Sequence, residues 1–148
     1  MWHNKTTVKK MIVGSIWLFF CLSGYAQNNK PDIKHKFVKE LTSARRMFIK
    51  AIKNTDDPET MSYWLRAADN EFEQSQVDLP KLKKSLKKDD VEMLEGYINK
   101  TRSNCEDVSW LSADGSVAMF MVVDAIVANR VKKIFPSVAM TEKDVKGY

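Results

Sequence analysis

A chain of 148 residues that is 44% hydrophobic, with only five glycines and four prolines, has the composition of a globular domain and excludes collagen-like and low-complexity polymers. Its formal charge of +5 and sequence pI near 9.1 overstate how basic the working protein is. Three of the 24 Lys and Arg belong to an amino-terminal leader that holds none of the 19 Asp and Glu, so the remainder carries only +2 and a global pull toward nucleic acid is not expected.

The leader is read from its layout. Lys5, Lys9 and Lys10 precede an uncharged stretch from Met11 to Ala26, shorter than the roughly 20 residues of a spanning helix. Gly24 and Ala26 stand at −3 and −1 from Gln27, the small residues that signal peptidase needs, so residues 1–26 are expected to be a secretory signal peptide. Cys21 follows Phe20, a poor lipidation site, and leaves with the leader. The product is expected to be periplasmic or secreted, with no stable membrane span after cleavage. Only Cys105 then remains, either as a buried thiol or in a disulfide between chains.

Residues 27–32 are polar and aperiodic and are expected to be flexible. From Ile33 to Lys53, Phe37, Leu41, Ala44, Phe48 and Ile52 recur at spacings of three and four, which stacks them on one helix face. Asp57 before Pro58 is an N-cap with proline in the first turn. It opens a second helix with Met61, Trp64, Leu65, Ala68 and Phe72 on its stripe, fading at 73–76. Asp78-Leu79-Pro80 repeats the cap pattern and predicts a short helix with Leu79, Leu82 and Leu86 inward.

Asp89 and Asp90 predict the start of a fourth helix, with Val91, Leu94, Ile98, Thr101, Cys105 and Val108 on one stripe. Gly96 weakens it by about a kcal/mol relative to alanine. After a loop at 112–116, the run from Val117 to Phe135 is apolar nearly all round, which predicts a central helix packed on several sides. Pro136 stops it, and residues 136–148 are expected to be a loosely ordered tail. Fold class is therefore all-α: a compact bundle of four longer helices and one short helix, forming a single domain over 33–135.

Catalytic chemistry finds little material. After the leader His35 is the only histidine, about 70 residues from Cys105, so neither a Cys/His pair nor a histidine metal site is expected. There is no Gly-rich phosphate loop, G-x-S-x-G elbow or Cys-x-x-Cys, and no cofactor is implied. Asp69, Glu71 and Glu73 alternate along a helix and so diverge; they read as solvated surface. Asn99-Lys100-Thr101 matches a glycosylation acceptor but falls within a predicted helix.

Three features stand out. Lys81, Lys83, Lys84, Lys87 and Lys88 form a basic cluster suited to an acidic partner, though such clusters are commonly just the wet face of a helix. Trp64 belongs to a core stripe, whereas Trp110 lies off any stripe beside the 112–116 loop and is the better interface anchor. Asp124 sits on the most apolar helix, where a carboxylate needs a cation; Arg45 and Arg46 are the expected partners, with Arg66 next. The combined expectation is a small exported non-enzymatic binding protein, such as a periplasmic inhibitor or immunity protein acting on another protein. The alternative is a carrier of a lipid or other apolar ligand within the bundle, lined around Met119 and Met121.

Overall fold

The computed structural model describes residues 32–146. The signal peptide expected over 1–26 lies outside the described residues, as does the flexible segment expected over 27–32 except for Asp32.

Every regular element among the described residues is helical. In chain order they are α1 (Ile33–Ile52), α2 (Pro58–Leu82) with a 3-10 turn at Lys83–Ser85, and α3 (Lys88–Glu106) with a second 3-10 segment at Val108–Ser112. Then come α4 (Ser116–Ile134) and the short α5 (Glu142–Lys146). The architecture is a compact all-α bundle of four long helices and one short one.

α1 forms as its periodicity dictates. The Asp32 carboxylate accepts from the Lys34 amide at 3.1 Å and caps the first turn, and Phe37, Leu41, Ala44, Phe48 and Ile52 are all buried. Asp57 caps α2 by accepting from the Thr60 amide at 3.1 Å, with Pro58 in the first turn. α1 and α2 form an antiparallel pair whose shared core holds Phe37, Phe48, Leu65, Phe72 and Leu79.

Three expectations are corrected here. The first is the second helix, which does not fade at 73–76, so Asp78-Leu79-Pro80 opens no new one: α2 runs on to Leu82 with Pro80 inside it. The cap pattern is overridden because the Asp78 side chain is not free to cap. It is fully buried against α1, where Lys36 donates to it at 2.5 Å, and it also pairs with Lys81. Leu79 and Leu82 are buried on the same face, which offsets the missing proline N–H. The short helix of the bundle is instead α5.

Second, the α4 segment is not central. Phe120, Asp124, Val127, Ala128 and Val131 are buried, but Met119, Val122, Val123 and Ile126 are 42–65% exposed. α4 lies against the α1/α2 pair on one face only, where Phe120 packs on Phe48 with ring centroids 4.7 Å apart.

The third concerns the segment after Pro136, expected to be loose, which carries structure. Phe135 and Val138 are buried, and the Asp144 carboxylate accepts from the Thr141 amide at 2.7 Å at the start of α5. Arg46 pairs with that carboxylate, while Arg45 donates to the Asp144 carbonyl at 2.8 Å. α5 is therefore tied to α1.

Candidate functional site

Asp124 is brought to Arg45. Arg45 Nε donates to Oδ1 at 2.8 Å and Nη2 to Oδ2 at 2.7 Å, a bidentate pair with both side chains at most 3% exposed. Burial works against the Arg45 charge, but the hydrogen bond and charge of Asp124 more than offset it and hold the guanidinium above its ordinary value. Arg46 does not reach Asp124, being turned to Asp144, and Arg66 donates to Ser62 on an exposed face. Adjacent helical residues point about 100° apart, so one helix cannot offer both arginines to one carboxylate.

A third member was not anticipated. The Tyr97 hydroxyl donates to Asp124 Oδ1 at 2.5 Å. Burial, and then the charge of Asp124, push the Tyr97 phenol well above its ordinary range, so it remains a proton donor to the pair. The signal was its place next to Ile98 and three residues after Leu94 on the inward stripe of α3.

Tyr97 also lines a recess of the described structure. Between α3 and α4 runs an open groove of about 500 Å³, walled by Met93, Gly96 and Tyr97 on one side and by Met119, Phe120 and Val123 on the other, with Trp110 closing one end. Its lining is predominantly apolar, and its rim carries Glu92 and Lys100, set roughly 12 Å apart along α3 by the helical rise. Gly96 is exposed, and a Cβ built there meets nothing within 4 Å. The glycine thus leaves open space in the wall that no part of the described chain occupies.

Trp110 is held rigidly in this wall. Its ring stacks on Phe48 with centroids 5.9 Å apart and planes at 9°, lies 6.0 Å from Phe120, and its indole N–H donates to the Asn104 carbonyl at 3.2 Å. A half-buried tryptophan fixed on one face and open on the other is the form that interface anchors take.

The lysine cluster is brought into a field of carboxylates rather than a bare basic patch. Lys81 pairs with Asp78, Lys83 with Glu95 at 2.7 Å and Lys88 with Glu92 at 3.6 Å. Lys84 and Lys87 are exposed and make no ion pair with a described residue. Asp69, read as solvated surface, meets Arg102 at 2.8 Å and joins α2 to α3. The Asn99 side chain accepts from Gln76 at 2.8 Å and belongs to that same junction.

Cys105 is partly buried, and burial, followed by the Asp69 carboxylate, pushes its thiol up to about 12, which suppresses thiolate chemistry at neutral pH. Among the described residues no three His, Cys, Asp or Glu stand together as a metal site, and no helix is long and apolar enough to cross a membrane. No protein-family model, curated protein or solved structure matches this chain.

Proposed function

We propose that this chain is a small exported, non-enzymatic binding protein of the inhibitor or immunity-protein kind, and that its α3/α4 groove takes an apolar helical segment of a partner protein. One observation carries the reading: an open apolar groove that combines a rigid tryptophan, Trp110, with a mid-helix glycine, Gly96, facing empty space. A glycine in a helix interior costs about 0.5–1 kcal/mol relative to alanine. Since no described residue fills the space it leaves, an occupant from outside is the natural beneficiary. The rim supports a peptide occupant, because Glu92 and Lys100 present opposite charges along one line, to which a helix with complementary ends aligns.

The test is a photo-crosslinking residue at Met119 in the native compartment, followed by mass spectrometry. A protein adduct that disappears with Gly96→Leu, which fills the groove at a site with room for a side chain, is the expected result. Crosslinking to a different protein that is insensitive to Gly96→Leu counts against the groove. In the same preparation the amino terminus should be Gln27; recovery of chains starting at Met1 would remove export from the reading.

A second reading, an apolar-ligand carrier, is favoured by the groove volume of about 500 Å³, which lies within the range of small-molecule pockets. The adaptable Met93 and Met119 in its walls favour it too. A lipid adduct at Met119, again lost with Gly96→Leu, would select it.

A further inference from the structure

The outer face of α4 is left unused by the groove. Val122 and Ile126 are 57% and 60% exposed and lie outside the groove, and with Met119 and Val123 they make an apolar stripe at i, i+3, i+4 and i+7. That stripe reads the same in both directions. About a point between Val122 and Val123, Met119 exchanges with Ile126 and Val122 with Val123, so an antiparallel second α4 laid across it meets apolar residues at every position.

The flanks continue the match. Ser116, whose hydroxyl is buried, falls opposite Asn129, and the exposed Arg130, which continues the stripe one turn beyond Ile126 and pairs with Asp90, falls opposite Gly115. Beyond them, the exposed Lys133 in the last turn of one helix approaches the exposed Asp114 just before the first turn of the other. Antiparallel helices also set each positive macrodipole end beside a negative one. A surface that is complementary to itself about a two-fold axis is the requirement for an isologous dimer.

We propose that α4 pairs with α4 of a second copy of this chain, antiparallel and centred between Val122 and Val123. The pairing shares Met119 and Val123 with the groove wall and adds Val122 and Ile126, which lie outside it. One helix against one helix is a small contact by the standard of permanent assemblies, so the dimer dissociates on dilution.

Sedimentation velocity of protein purified from cells expressing the full chain tests it. A concentration-dependent shift from monomer to dimer is expected, with association weakened at least tenfold by Val122→Lys with Ile126→Lys and left unchanged by Gly96→Leu. Both lysines replace exposed residues, and circular dichroism checks that the fold is kept. Register is read separately by oxidising copies in which Cys105 is replaced by alanine and one new cysteine is introduced. Met119→Cys mixed with Ile126→Cys should give a disulfide-linked pair. Met119→Cys alone should not, because equivalent positions lie roughly 10 Å apart by the helical rise, beyond disulfide reach. A monomer at all concentrations overturns the proposal, and so does self-linking by Met119→Cys.

Discussion

Arg45 is the largest of the fully buried side chains and is charged, so its surroundings decide whether the fold tolerates it. With Asp124 in place the pair is satisfied on both carboxylate oxygens, and Tyr97 adds a further donor. Removing one partner leaves the other buried and uncompensated, at a cost of about 3–5 kcal/mol. We therefore expect Asp124→Ala and Arg45→Met each to lower stability by that amount, and the double variant to lose much less than their sum. Urea denaturation of the three proteins, analysed as a cycle, checks this; a coupling within about 0.5 kcal/mol of zero would contradict it. Asp124 was legible as a misplaced charge on an apolar run. Arg45 could have been preferred over Arg46 as well, since it follows Leu41 by four and precedes Phe48 by three, on the inward face. Gly96 was legible only as a weak point in a helix; that it opens a groove depends on where α4 lies, which periodicity does not encode. Because a Cβ at 96 meets open space, Gly96→Ala should raise stability by about 0.5–1 kcal/mol. A loss of stability in thermal melts would show that the glycine serves the fold itself.

Among the elements, α1 was legible down to its stripe because its pattern, cap and burial all agree. α2 was not. Proline and an acidic residue ahead of it are local signals, and here a long-range pair between Asp78 and Lys36 outweighs them. The exposure of α4 was equally hidden, since an apolar surface meant for the core and one turned outward share the same composition. The Asp78 tie has a pH signature. Burial alone would raise its carboxyl, but hydrogen bonds from Lys36 and Lys81 outweigh that and set it below its ordinary value of 3.8. A carboxyl lowered in the folded state contributes stability above its unfolded value and loses it as pH falls through the folded one. Glu40 beside it runs the other way: burial raises its carboxyl above 4.5 despite Lys36, so its contribution favours the fold in acid and fades as pH rises. Asp78→Asn should therefore flatten the acid limb of the stability profile below about pH 4. Urea midpoints measured from pH 3 to 6 for both proteins test this, and an unchanged slope would move the acid sensitivity elsewhere.

For the molecule as a whole, the bundle is uneven. α1 and α2 share a continuous core, whereas α4 contributes one buried face and α5 is attached through Arg45 and Arg46. The overall class and helix count were legible because four periodic segments with few breakers leave few other architectures; the α3/α4 groove and the docked carboxyl end were not, because both arise from contacts between distant segments. The shared use of Arg45 has a kinetic consequence. Its guanidinium holds the Asp124 carboxylate of α4 and the Asp144 carbonyl of α5, so neither can detach without disturbing the other's anchor. Amide hydrogen exchange should then show α4 and α5 opening as one cooperative unit, at a lower free energy than α1 and α2. Arg45→Met should speed exchange in both segments together while leaving the slowest amides of α1 and α2 in place as the last to exchange. Exchange of α5 that accelerates without α4 would show the two to be independent. The two carboxyl-terminal helices thus answer to one shared tie, the buried Arg45 cation that α1 extends to both.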